Sequence, residues 1–407
     1  MAGSGPHFIC HLLLLLLLGA VEIVAGQWII KNLPGFPGHL PFKLETGYVG
    51  VGDQVDEIQL FYYFIESELS PKDDPLVLWL TGGPGCSGFS ALVYEIGPLI
   101  FDYANTNWSG VPTLRLNPYS WTKVANIIFL DSPVGTGFSY ATDSKAYNTS
   151  DTLSVAATYQ FLRKWLMAHP KFLKNPLYIA GDSYSGIVVP VIVQEITNGN
   201  EIGLEPSMNL KGYVLGNPFA SPLDSNAKIR FSHQMALISD KLYESAKINC
   251  KGDFVNIDPE NTLCANDMKV IDECLNKIDP TQILEPWCPP SPSQVMGLKW
   301  NQSSDLFTEN SIDILLFSLL NQPQWCRAYN YMSSFIWAND QNVQNALHIH
   351  KGSIEKWVRC NASLSYRYDI RSSFDYHRSL VDKNYRSLIY REQVTQHQST
   401  SPRNVLA

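Results

Sequence analysis

The sequence predicts an α/β fold with a mostly parallel sheet, and three observations predict it. Short, continuously apolar runs recur along the chain. Each ends in a glycine-rich or polar loop, and segments of helical periodicity lie between them. In order, "GYVGV" and "IQLFYYFI", within residues 43–65, are β-rich runs separated by a turn. "PLVLWL" (75–80) has the composition of a buried strand and leads into "TGGPGCSG". "NIIFLD" (126–131) repeats that pattern and leads into "SPVGTGFSY". "DTLSVAATYQFLRKWLMAHP" follows with apolar residues at helical spacing. "LYIAGDSYSG" is a third strand-to-loop unit, "GIVVPVIVQEI" the helix after it, and "LKGYVLGNP" (210–218) a fourth unit. In parallel sheets ligands sit at the carboxyl ends of the strands, where all these loops fall.

Between about 220 and 340 the texture changes. "FSHQMALISDKLYESAKINC" and "DMKVIDECLNKI" read as helices, and the Pro-rich "EPWCPPSPSQ" (285–294) as an exposed loop. The expected organisation is a signal segment (1–26), a first core part (27–219) and a helical, disulfide-stapled insertion (220–340). A return to the core (341–390), with "NVQNALHI" and the strand-like "RSLIY", precedes a divergent polar tail (391–407) read as disordered.

The N-terminus carries seven consecutive leucines, Leu12 to Leu18, with Val24 and Gly26 at plausible −3/−1 cleavage positions. That run reads as a secretory signal, although no Lys or Arg precedes it, and it is short for a membrane anchor. No other stretch is long and apolar enough to span a bilayer. Sequons at Asn107, Asn148, Asn301 and Asn361 fit a glycosylated product of the secretory pathway, extracellular or vacuolar. Without Cys10, seven cysteines remain, so one is left over after pairing. No CxxC or CxH spacing suggests a metal, and no cofactor is expected. Net charge is −8 with no basic run, which argues against nucleic-acid binding.

"YIAGDSYSG" has the strand–turn–helix context of a nucleophile elbow, with Ser183 raised for attack. It departs from G-x-S-x-G, because Ser185 stands at the second glycine position. The alternative is a structural serine in a polar turn. Oxyanion donors would come from backbone N–H groups in "TGGPG", where Gly82 and Gly83 permit close approach, and from Tyr184.

"LWLTGGPGCSG", "YEIGP", "NIIFLDSPVGTGFSY", "GDSYSGIVVP" and "GYVLGNP" occur in this order. Together they resemble the plant serine carboxypeptidase-like family, on the α/β-hydrolase fold, from about Trp28 to Tyr390. The resemblance implies Ser183 as nucleophile and Gly83 and Tyr184 as oxyanion donors. It implies Thr81, Gly82, Glu95 and Asp182 at the positions where the family's peptidases hold a peptide's terminal carboxylate. Those peptidases carry Asn and Glu where Thr81 and Asp182 stand here. Thr81 lacks the amide N–H₂ of Asn, and Asp182 is one methylene shorter than Glu. "ISDKLYES" and "WANDQNVQNALHI" likewise resemble the family's acyltransferase branch, which passes an acyl group from a glucose ester to an alcohol or amine. The partners implied are thus an acyl-glucose and an acceptor, or a peptide. Three readings follow: acyltransferase, carboxypeptidase, and a non-catalytic pseudoenzyme that binds the same ligands.

The family's triad Asp and His follow the strand that "RSLIY" matches, in "SGDHD"-like and "GGGHT"-like loops. "REQVTQHQSTSPRNVLA" matches neither. We therefore expect the triad Asp and His to be absent, activity to be weak at best, and stability to be low. The histidines after the elbow, His233, His348, His350, His377 and His397, are poor substitutes. His348 and His350 fall in a helix-like stretch, and His377 reads as structural or surface. For the cysteines the expectation is Cys86–Cys326, Cys250–Cys264 and Cys274–Cys288, with Cys360 left over.

Overall fold

The structure is a computed structural model that describes residues 26–52, 57–103, 110–279, 282–284 and 327–391. One sheet organises it. Its strands are β1 (Gln27–Ile30), β2 (Leu44–Val51), β3 (Ile58–Ile65), β4 (Leu76–Leu80), β7 (Asn126–Leu130), β10 (Leu177–Asp182), β11 (Leu210–Gly216) and β13 (Arg386–Tyr390). They lie in the order β1-β2-β3-β7-β4-β10-β11-β13, and β8 (Tyr140–Ala141) also pairs with β3. The first three strands are antiparallel to their neighbours, and from β7 to β13 every pair is parallel. Small pairs stand apart: β5 (Leu99–Phe101) with β6 (Leu114–Leu116), and β9 (Thr149–Ser150) with β12 (Tyr366–Arg367).

All five residues of β4 and of β7 are buried, because both faces of the central sheet are covered. One face packs Leu78, Leu80, Ile128 and Ile179 against the helices α1 (Asp151–Ala168) and α2 (Ser185–Glu201). The other packs Trp79, Phe129 and Ala180 against Phe89, Trp337 and Trp357. Helix α1 starts where the Ser150 hydroxyl accepts from the Leu153 N–H, with Asp151 in its first turn. It buries Val155, Leu162, Trp165 and Leu166 and stops at His169, just before Pro170.

Helix α2 contains Pro190, which has no N–H to offer the Gly186 carbonyl one turn back. The buried Ser373 hydroxyl donates to that carbonyl instead, at 2.7 Å. Ser373→Ala would leave it unsatisfied in the core. We expect a loss of about 1–3 kcal/mol in urea unfolding, and Ser373→Thr to retain part of it.

Residues 220–279 are mainly helical, with α3 (Asn226–Gln234), α4 (Asp240–Asn249) and α5 (Thr262–Leu275) sharing a small core of Ile229, Ile238, Ala246 and Ile271. Cys250 at the end of α4 is bonded to Cys264 in the first turn of α5. Helices α6 (Arg327–Asn339), α7 (Gln341–Ala346) and α8 (Phe374–Asp382) complete the described chain. No described helix is long and apolar enough to cross a membrane.

Two expectations need correction. Cys86 is bonded to Cys360, not to Cys326, and Cys360 is therefore not the leftover thiol. Residues on either side bring the two together: Ser87 N–H donates to the Arg359 carbonyl at 2.8 Å and Asn361 N–H to Gly85 at 2.9 Å. The cysteines thus face each other in an antiparallel bridge, with Cα atoms 3.8 Å apart. Cys274 is exposed with a free thiol; Cys288, Cys326, Asn107, Asn301 and the Pro-rich loop lie outside the described residues. His348 and His350, expected on a helix, come after α7 ends, and His348 has φ 57° in the turn.

Candidate active site

Ser183 follows directly on β10, with φ at 52°. A non-glycine residue holds that conformation only where its surroundings over-determine it. Here Ser183 N–H donates to Gly216 at 3.0 Å, and the Ser183 carbonyl accepts from Phe219 at 2.7 Å and Gly186 at 3.1 Å. The departure from G-x-S-x-G has a local reason. The Ser185 hydroxyl donates to the Leu80 carbonyl at 2.8 Å, so a small polar side chain ties the elbow to β4.

The loop after β4 lies against this turn. A Cβ on Gly82 would sit 2.6 Å from the Ser183 Cβ and 2.9 Å from the Tyr184 nitrogen. Gly83 has φ +122°, open to glycine. Among the described residues, neither the Gly83 N–H nor the Tyr184 N–H donates a hydrogen bond. Asp131 fixes the loop from below: it accepts from the Ser87 hydroxyl at 2.6 Å, Gly88 N–H at 2.8 Å and Phe138 N–H at 2.9 Å. Burial pushes its carboxyl up to about 6 against those hydrogen bonds.

The four positions implied for carboxylate binding come together. Asp182 accepts from the Gly82 N–H at 3.2 Å. Thr81 is buried, and its hydroxyl has no partner among the described residues. Desolvation raises Asp182 to about 6, opposed by the Gly82 N–H and by Arg359. Glu95 is exposed by area, yet protein crowds its carboxyl. Desolvation, then the nearby Asp182 charge, hold it well above the ordinary carboxylate range, and Arg359 pulls the other way. In the folded protein both carboxyls favour the protonated form. For Asp182 the stabilising contribution is full below the unfolded value near 4 and is lost as pH rises through about 6. Asp182→Asn keeps the oxygen that Gly82 faces but cannot ionise. Urea unfolding at pH 4 and pH 7 should show it gaining stability relative to the wild type as pH rises.

Arg359 was not singled out in the sequence. It lies within electrostatic reach of both carboxyls, its guanidinium 3.9 Å from the Tyr331 ring centroid, and its backbone is held by Ser87 beside the disulfide. Asp151 was missed too. Its buried carboxylate accepts from Tyr184 at 2.7 Å, Tyr366 at 2.8 Å and the Ile370 N–H at 2.8 Å. The Tyr184 ring is thereby fixed among Phe219, Tyr366 and Tyr368, with centroids 6.0, 6.3 and 5.6 Å away. Knowledge of the Cys86–Cys360 bond would have brought Arg359 to the loop; Asp151 gave no local signal.

No described histidine hydrogen-bonds to Ser183. His233 pairs with Asp240 at 2.7 Å, and His348 stacks on Trp28 with centroids 4.1 Å apart. His350 stacks on Tyr140, and His377 is 2.8 Å from the Tyr213 hydroxyl, its basicity depressed by burial to about 4. His397 lies outside the described residues.

A strained serine between a parallel strand and a helix, with a glycine loop against it, defines an α/β-hydrolase-fold protein. The serine carboxypeptidase family profile matches residues 34–397, and the chain belongs to that family. Among its relatives is serine carboxypeptidase-like 11 of Arabidopsis thaliana, 48% identical over 93% of this chain and 80% of its own length. Serine carboxypeptidase-like 17 of the same plant is 45% identical over 93% and 78%. A solved structure, Kex1(Δ)p, a prohormone-processing carboxypeptidase from Saccharomyces cerevisiae, shares the fold. Its TM-score is 0.65 at 19% identity, over 90% of this chain and 77% of that one.

Proposed function

We propose that this chain carries a seryl acyl-transfer site of the glucose-ester type, with turnover low or absent. Ser183 would take the acyl group as an ester. The N–H groups of Gly83 and Tyr184 would hold the oxyanion. The observation that carries this reading is the pair of unengaged N–H groups at a strained serine. Thr81 and Asp182 favour acyl transfer over peptide hydrolysis, since a carboxylate-binding network tolerates gaps poorly. The unpartnered Thr81 hydroxyl also leaves a buried polar group for a ligand hydroxyl to satisfy. Low turnover rests on the described histidines after the elbow, His233, His348, His350 and His377, each of which is engaged elsewhere.

The partners would be an acyl-glucose donor and an alcohol or amine acceptor. Offering an acyl-glucose and a peptide to this chain and to an active relative, and following which is consumed, tests the reading. Peptide consumption by both would overturn it in favour of a carboxypeptidase. The engaged histidines also favour a pseudoenzyme. Acyl-glucose binding by a stable chain whose serine stays unlabelled would select that reading. Passage through the secretory pathway, to the vacuole or outside the cell, fits the two disulfides and the exposed Asn148. The Asn148 amide donates to the Lys145 carbonyl at 3.2 Å, and the Asn361 amide to the Gly135 carbonyl at 2.9 Å.

A further inference from the structure

The carboxyl ends of the strands hold Ser183; the amino ends hold a second concave feature. A groove of about 720 Å³ opens there, lined by Pro176, Tyr178, Lys211, Lys383, Tyr385 and Arg386, among others. Register explains its shape. Tyr178 on β10, Gly212 on β11 and Arg386 on β13 lie side by side across the ladder. Adjacent strands are about 4.8 Å apart. Gly212 has no side chain, and a Cβ there would meet the Arg386 carbonyl at 1.9 Å. The glycine therefore lets β13 close in, and the Arg386 guanidinium reaches the Tyr178 hydroxyl at 3.4 Å. Tyr178 precedes Ser183 by five residues, so the groove lies about 17 Å along β10 from the serine.

Its chemistry is unlike the rest of a chain with net charge −8. Three cations line it and no acidic residue does. Lys383 is paired with Glu201 outside the groove, but neither Lys211 nor Arg386 has an acidic partner among the described residues. The cations come from three separate elements, Lys211 from β11, Lys383 from the end of α8 and Arg386 from β13, which suits a row of single charges better than one phosphate. The rings of Tyr178, Tyr385 and Pro176 line the same groove, apolar surfaces of the kind that sugar C–H faces cover.

We propose that this groove binds an acidic polysaccharide, a chain of pyranose rings that each carry one carboxylate. The rings lie on Tyr178, Tyr385 and Pro176, and successive carboxylates meet Lys211, Arg386 and Lys383. Each exposed contact is weak on its own, so binding depends on several at once and falls with salt.

The test is calorimetric titration of the full chain with a decamer of galacturonic acid. Three comparisons accompany it: the fully methyl-esterified decamer, a polyaspartate of equal charge, and the variant Lys211→Gln/Arg386→Gln. Both replaced side chains are remote from Ser183, and circular dichroism checks that the variant folds. The expected result is binding of the acidic decamer that weakens at least about tenfold in the variant and with added salt, and at least about tenfold weaker binding of the ester and of polyaspartate. No binding of the decamer, equal binding by the variant, or polyaspartate binding as tightly as the sugar chain would each overturn the proposal.

Discussion

Ser183 is expected to react with a fluorophosphonate some 10⁴- to 10⁶-fold more slowly than the serine of a relative with an engaged histidine base. The strained elbow is in place, and under the proposed reading the unengaged Gly83 and Tyr184 N–H groups would hold the oxyanion. What is lacking among the described residues is a group to take the hydroxyl proton. A proton left on the attacking oxygen accounts for a loss of that size, and the oxyanion donors supply only the residual rate. Time-resolved labelling with mass spectrometry reads this directly, with Ser183→Ala as the unlabelled reference. Rapid stoichiometric labelling of Ser183 would show that a base reaches it after all.

Removing the Cys86–Cys360 bond by a double serine replacement should lower stability by on the order of 5 kcal/mol. The bond closes a loop with a sequence separation of 274, and loop-closure entropy grows with the logarithm of that length. The site should suffer with the fold. Arg359, next to Cys360, would lose its tether and with it the positive charge that opposes the proton affinity of Glu95 and Asp182. Denaturant unfolding checks the first effect. The Cys250–Cys264 bond, with a separation of only 14, should cost less when removed. An equal or larger loss there would contradict the loop-length account.

Most of the scaffold was readable in the sequence for a simple reason. Strands buried on both faces must be apolar throughout, and "LVLWL" and "NIIFL" are. The glycine loops mark where those strands end. Helix α1 announced itself through apolar spacing, and α2 did so despite Pro190, because its local pattern dominates. Strand β1 escaped notice: three of its four residues are exposed, so no apolar run marks it. The site divided along the same line. Ser183, Gly82, Gly83 and Asp182 lie in two short motifs and were legible. Arg359 arrives from 176 positions further on than Ser183 through a long-range bond, and Asp151 acts through rings at Tyr184 and Tyr366. Pairings of that kind depend on the folded path of the chain, which is why the guess for Cys86 chose the wrong partner.

The Cys86–Cys360 bond has one more consequence, and it concerns covalent connectivity. A protease cut anywhere between those two residues produces two polypeptides, but they remain a single molecule until the bond is reduced. The sheet adds a second, noncovalent link, because β4 and β7 from before α1 lie in the same layer as β13 near the other end. Nicked and intact protein would thus run alike on a non-reducing gel and separate only under reduction. A cut in that span would leave the serine elbow and Arg359 in one molecule.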